Sequence, residues 1–211
     1  MGLTGDRPRP SDAVAVRPAA PDEGEPVAAL LYASAGAKYD QFAGSRRAAL
    51  VLLARAFARS GNTASAEVVS VAEIDGAVAG AIAAFPSVEG DDRTRRFLRV
   101  GLRAVAPWRW PRMLEIHRLG ADVTPLPPPR SLYVDALASD VAFRRRGVGR
   151  ALLAEAQRRA RAEGMPALAL DTGSANLAAR ALYEDFGFEL SRRHQPDGWI
   201  DAVLAYVKRL D

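Results

Sequence analysis

An α/β fold, with a mixed, mostly antiparallel sheet of about six or seven strands flanked by helices in a single domain, is what the sequence predicts. Three observations carry this. Two β-rich runs flank Asp75-Gly76, a dipeptide that accepts positive φ at both central positions of a tight hairpin. The strand pattern "SLYVDALAS", a helical pattern and the apolar run "ALALDT" then follow one another, the order of a strand-helix-strand unit with a parallel pairing. Finally, two more β-rich runs, "GFELSRRH" and "AVLAYVKRL", close the chain. With 211 residues and 49% hydrophobic composition there is apolar material for one sizeable core.

Residues 1–11 carry proline, glycine and charge without a period and are read as a disordered lead-in to a domain over 12–211. "AVAVRP" (Ala13 to Pro18) alternates and predicts a first strand stopped by proline. "DEGEPVAALLYASAG" has acidic residues in front, an apolar stretch behind them and Gly36 as a stop, the order of a helix. Ser45 is a good N-cap for a second helix through "RRAALVLLARAFARS", ending at Gly61. Val68 to Ile74 and Val78 to Phe85 form the hairpin. The segment 87–130 holds two short helical patterns, "RTRRFLRVGLRAV" and "WRWPRMLEIHRLGA", and the stiff connector "TPLPPPR"; it is read as a helical insertion or lid. The strand Ser131 to Ser139 leads into a helix running to about Glu163, whose apolar face is Val148, Leu152, Ala156 and Ala160. "NLAARALYEDF" is a short helix before the last two strands.

Composition excludes several chemistries. The chain has no cysteine, so disulfides, thiol nucleophiles and cysteine-ligated zinc are out, and no metal-ligand constellation appears. No apolar run reaches the roughly 18–20 residues of a membrane span, and "MGLTGDRPRPSD" lacks a signal-peptide apolar region, so a cytoplasmic protein is expected. The charge of +4 comes from arginine, Lys38 and Lys208 being the only lysines. Such a balance favours anionic ligands, a phosphorylated cofactor as well as nucleic acid.

The stretch "RRRGVGRALL" (Arg144 to Leu153) sharpens that expectation. It is not a P-loop, having no lysine after the glycines. A dinucleotide site would use Gly147 and Gly149 with Asp171 on a ribose, but Leu152 stands where its third glycine belongs, and the loop before the helix is too long. The remaining reading is an anion at a helix start: backbone N–H groups and the helix dipole face it, glycines let it approach, and arginines add charge-assisted bonds.

Here the sequence resembles the GNAT superfamily of N-acetyltransferases. Its signature for the coenzyme A pyrophosphate, Gln/Arg-x-x-Gly-x-Gly/Ala, is matched by Arg144, Gly147 and Gly149, with Arg145, Arg146 and Val148 between them and Arg150 after. "NLAARALYEDFGFE" resembles the family's second cofactor motif at Asn176, Ala179, Tyr183, Gly187 and Phe188. "YVDALAS" resembles the strand that pairs with the pantetheine arm, without the customary proline at its end, where Ser139 and Val141 stand.

The resemblance implies acetyl-CoA as acyl donor, no metal, and direct transfer of the acetyl group to a primary amine of a small molecule or peptide. Amine attack on a thioester needs a polarised carbonyl, a route for the amine proton and an acid for the leaving thiolate. By resemblance Tyr183 is that acid, Asp135 the base acting through water, Asn176 and Ala179 contacts to the pantetheine, and Leu137, Ala138 and Ser139 the strand whose backbone pairs with it. Plainer readings stand beside these: Asn176 as a helix N-cap, Tyr183 as a packed aromatic, Asp135 as a loop-orienting residue. His117 and His194 are read as surface or packing residues. Two rival functions remain open, a non-catalytic acyl-CoA sensor and an arginine-rich nucleic-acid module; the second lacks a recognised motif. No membrane partner is expected, and a homodimer is left open.

Overall fold

The computed structural model describes residues 13–123, 125–195 and 202–210; the expected lead-in over 1–11 lies outside them. In chain order the elements are β1 (Ala15–Pro18), α1 (Gly24–Ser34), α2 (Gly36–Ala43), α3 (Arg46–Phe57), β2 (Val69–Ile74), β3 (Ala77–Pro86), α4 (Gly90–Ala104), α5 (Trp110–Val123), β4 (Ser131–Ser139), α6 (Val148–Ala162), β5 (Ala167–Gly173), α7 (Leu177–Asp185), β6 (Glu189–His194) and β7 (Val203–Arg209). The strands form one sheet in the order β1-β2-β3-β4-β5-β7-β6. Among the described residues only β4 and β5 run parallel; every other neighbouring pair is antiparallel.

Period-two alternation along the central strands feeds two cores. Ala81, Ala83 and Phe85 of β3 face a cluster built with α1 to α5, while Ile82 and Ala84 face the cluster of α6 and Tyr183. The α6 stripe is buried as its spacing requires: Val148, Leu152, Ala156 and Ala160, joined by Leu153. Gly80 lets α6 seat closely, because a Cβ there would come within 2.5 Å of Val148 Cγ1.

Local signals hold where they are strong. Ser45 caps α3, its side chain accepting from Ala48 N–H at 3.2 Å. Asp75 and Gly76 turn the hairpin at φ 51° and 80°. After α3 the chain is pinned by Asn62, fully buried, whose Nδ2 donates to the carbonyls of Ala56 and Arg59 at 2.8 and 2.6 Å while its Oδ1 accepts from Ala64 N–H at 2.9 Å.

Gly36 does not end the helical region, contrary to expectation. Ala35 breaks α1 at φ −152° and ψ 43°, outside the helical region, and the chain re-enters a helix at once, with Gly36 tucked under Tyr32 so that a Cβ would lie 3.2 Å from the ring. Within 87–130 the two helices α4 and α5 are 15 and 14 residues long, where short ones were expected. They join the core: Met113 is fully buried, Phe42 and Phe97 lie 5.9 Å apart, and a Cβ on Gly101 would meet Met113 Sδ and Phe42 Cε1 at 3.1 Å.

Candidate active site

The site begins where the one parallel pairing ends. β4 and β5 match from Ser131 and Ala167 to Val134 and Leu170 and then part. Each keeps its outer partner beyond that point: β4 stays with β3 up to Ser139 opposite Gly80, and β5 stays with β7 up to Gly173 opposite Val203. A wedge therefore opens inside a continuous sheet. Its cause is visible in the register with β3, where Ala136 faces Ala83 and Val134 faces Ala84, leaving Asp135 as the extra residue of a β-bulge. Bulges add local twist and bend the strand that carries them. Leu137, Ala138 and Ser139 consequently have, among the described residues, no strand partner on the side facing β5.

The missing proline is replaced by an Asx-type turn. Asp140 N–H donates to Ala79 C=O at 2.9 Å, and Asp140 Oδ1 accepts from Ala142 N–H at 2.8 Å, which ends β4 and sends the chain towards α6. Arg145 at φ 64° and Gly147 at φ 78° then alternate with right-handed or extended neighbours, the backbone pattern of an anion nest. Gly147 caps α6 without a side-chain bond, and the first bond into the helix is Ala151 N–H to Gly147 C=O at 2.9 Å. The N–H groups of Val148, Gly149 and Arg150 thus have no intrahelical acceptor and lie at the positive end of the dipole.

The two glycines differ in role. A Cβ on Gly147 would meet nothing within 4 Å, so this position is open as well as conformationally demanding. A Cβ on Gly149 would come within 2.8 Å of Leu182 Cδ2, so this glycine serves the packing of α7 on α6 and not the approach of an anion. The arginines divide similarly. Arg144 and Arg145 are exposed, Arg146 lies over the Phe143 ring at 5.7 Å, and Arg150 pairs with Asp185 at 2.5 Å and covers Phe186. The open Gly147, the first-turn N–H groups and Arg144 and Arg145 fit a diphosphate.

Asp135 stands at the mouth of the wedge, with Asp171 in the corresponding position on β5. Asp171 accepts a hydrogen bond from the Tyr133 hydroxyl. Asp135 touches solvent along the wedge yet is ringed by protein, and this crowding pushes its carboxyl up to about 6; Lys38 opposes the rise and Asp171 adds to it. Asp171 is raised by the same desolvation, against the pull of the Tyr133 bond and Lys38. Three phenols share the neighbourhood. Tyr39 of α2 is raised by burial and the Asp135 charge, Tyr133 well above its ordinary value by burial and Asp171, and Tyr183 to about 12 by burial and Asp171.

Tyr183 is buried on α7, its ring 5.9 Å from Phe188 and 6.1 Å from Tyr206. Asn176 is the N-cap of that helix, accepting from Ala179 N–H at 3.3 Å while its Nδ2 reaches Thr172 Oγ1 at 3.4 Å. Those sequence-predicted residues lie on the elements that bound the wedge: β4, the turn into α6, and α7. His117 and His194 take no part in the hydrogen bonds and charge interactions of Asp135 and Asp171. Sequence reasoning passed over Tyr133, Lys38 and Tyr39, and met Asp171 only in the dinucleotide alternative. That alternative falls with the sheet, which is mostly antiparallel rather than doubly wound. The available signal was that "YVD" and "LALD" each carry an aspartate at the same point of two parallel strands.

A profile of the acetyltransferase (GNAT) family matches residues 40–188. Among solved structures, the crystal structure of an acetyltransferase aligns with a TM-score of 0.69 at 23% identity, covering 93% of this chain and 100% of the other. An N-acetyltransferase from Staphylococcus aureus Mu50 aligns at 0.67 and 17% identity, over 92% and 100%. Ard1 from Thermoplasma volcanium aligns at 0.57 and 18%, over 94% and 98%. At these identities the likeness establishes the fold. No curated protein matches the chain. The profile spans well over half of the sequence, through both the turn into α6 and α7, and the chain belongs to the acetyltransferase (GNAT) family, whose acyl donor is acetyl-CoA.

Proposed function

We propose that the protein transfers an acetyl group from acetyl-CoA directly to a primary amine of a small molecule or peptide, in the cytoplasm. The observation that carries this reading is the wedge between β4 and β5, flanked by an open helix start with two exposed arginines and holding a carboxylate raised towards neutrality. Arg144, Arg145 and the N–H groups of Val148, Gly149 and Arg150 hold the diphosphate; Arg146 and Arg150 add positive charge from positions already braced by Phe143 and Asp185. Main-chain groups of Leu137, Ala138 and Ser139 take the place of a strand partner for the pantetheine amides and polarise the thioester carbonyl, and Asn176 and Ala179 border the same arm.

Asp135 is the base. An alkyl amine is mostly protonated near neutrality, its ordinary pKa being about 10.4, so a proton must leave before attack. A carboxylate at about 6 is ionised at neutral pH and still a far better proton acceptor than an ordinary aspartate. Tyr183, held protonated, donates to the departing thiolate. With no cysteine to carry an acyl group, transfer runs through a complex of both substrates.

The test is a calorimetric titration with acetyl-CoA, using NADH as control, followed by an amine panel scored by thiol release. Saturable acetyl-CoA binding lost in Arg144→Glu/Arg145→Glu supports the site, and release with an amine supports the enzyme. Binding with no turnover on any amine would establish the sensor instead.

A further inference from the structure

Asp171 is a half-buried carboxylate that the roles above leave unused. Its place is set by topology. Val134 and Leu170 are the last matched residues of β4 and β5, so Asp135 and Asp171 are the first pair across the opening, and the bulge frees Asp135 from any partner on β3. Asp171 is held there from both sides, its backbone opposite Ala205 of β7 and its Oδ1 accepting from the Tyr133 hydroxyl. Tyr133 lies two residues before Asp135 on the same strand, so the phenol that orients one carboxylate is carried by the strand that carries the other.

We propose that Asp171 acts through Asp135: fixed by the Tyr133 hydroxyl, its carboxylate stands across the divergence and sets how strongly Asp135 holds the proton it takes from the acceptor. This rests on the acetyl-transfer reading. A neighbouring negative charge disfavours ionisation, so the Asp171 carboxylate across the opening strengthens the hold of Asp135 on its proton. The groups facing it are Tyr133 from β4, Lys38 and Tyr39 from α2, and Tyr183 from α7. Lys38 is a cation that acts on both carboxylates and opposes the rise of each. The step balances: Asp135 takes one proton from the ammonium, the amine lone pair forms the C–N bond, the C–S bond breaks with its electrons leaving on sulfur, and Tyr183 donates a proton to that sulfur. The phenol recovers its proton from the nitrogen of the new amide by way of water, and Asp135 returns its own to solvent.

The test compares the native chain with Asp171→Asn and Tyr133→Phe by carboxyl-carbon NMR titration of aspartate-labelled protein, the Asp135 signal being assigned by its loss in Asp135→Asn. In Asp171→Asn the Asp135 midpoint is expected to fall, its proton binding weakening roughly tenfold. The acid limb of kcat/KM should move down in pH by the same amount, with acetyl-CoA affinity unchanged. In Tyr133→Phe the Asp171 midpoint should rise, because a bond to its charged form is gone. An Asp135 midpoint unmoved in a folded Asp171→Asn protein overturns the proposal, as does a rate loss with the acid limb in place. If no amine is turned over by the native chain, the transfer reading fails, and the NMR midpoint alone decides the role of Asp171.

Discussion

Gly149 lies against Leu182 so closely that a single added methyl would sit 2.8 Å from Leu182 Cδ2, whereas two residues earlier a methyl on Gly147 would meet nothing. The two glycines of one motif thus answer to different constraints, and substitutions should separate them. Gly149→Ala is expected to lower stability by about 1–3 kcal/mol through overpacking of α6 against α7. Gly147→Ala carries only the strain of a side chain at positive φ, about 1–2 kcal/mol, but places a methyl in the opening before the helix. Urea unfolding and acetyl-CoA titration of both variants should show the larger loss of affinity per unit of lost stability in Gly147→Ala.

Asp135→Asn should reduce kcat/KM about 10²- to 10⁴-fold while leaving the acetyl-CoA Kd within a factor of two or so, because a base contributes to the chemical step and not to donor binding. Steady-state kinetics beside calorimetry checks this. An equal loss in donor affinity would assign Asp135 to architecture.

The same residue has a signature in stability. Its folded value of about 6 lies above its ordinary 3.8, so between these two pH values the folded state binds more protons than the unfolded state. Stability contributed by Asp135 is therefore fully present below 3.8 and is lost as pH rises through about 6. Relative to Asp135→Asn, the native protein should lose stability across that window, measured as the change in urea midpoint. The contact of Asp135 with solvent reduces the size of the effect but not its sign.

Tyr183→Phe should slow transfer by about 10²-fold or more without weakening acetyl-CoA binding, and rate profiles of the native enzyme should show no alkaline loss from this phenol near neutral pH, since it is pushed up to about 12. Single-turnover assays with saturating donor read this directly. Unchanged turnover would reduce Tyr183 to its packing against Phe188 and Tyr206.

Asn62→Ala should cost about 2 kcal/mol or more. It removes two donated bonds and one accepted bond at a fully buried position and leaves the buried Ala64 N–H without its acceptor, while the Ala56 carbonyl keeps its bond from Arg59 N–H. Thermal unfolding of the variant is the check.

What was legible in the sequence follows from how locally it is encoded. Asp75-Gly76 fixes its hairpin by conformational preference, Ser45 its helix by one side-chain bond, and Val148, Leu152, Ala156 and Ala160 a buried stripe by period alone. The helix α2 was missed because Gly36 looks like a terminator; only the Tyr32 ring stacked over it shows a restart. The candidate site was half legible. Arg144, Gly147, Asn176 and Tyr183 stand in motifs, whereas the partnership of Asp135 with Asp171 depends on a parallel register between strands separated by the whole of α6, and no periodicity within either strand encodes it. Lys38 reaches the pair from a helix that the sequence did not announce.

Among the described residues, four residue pairs, Ser131 to Val134 against Ala167 to Leu170, are the only rungs joining the first four strands of the sheet to the last three. Mechanically this is a short seam between two panels, with α6 as a brace behind it. Anything that bonds to the β4 edge in the gap and also touches α7 or β5 extends that seam, so occupancy should toughen the whole molecule, by about 2.7 kcal/mol at a ligand concentration a hundred times Kd. The protein is then stiffest while it is working, and an idle molecule is the one a protease would find first at the seam.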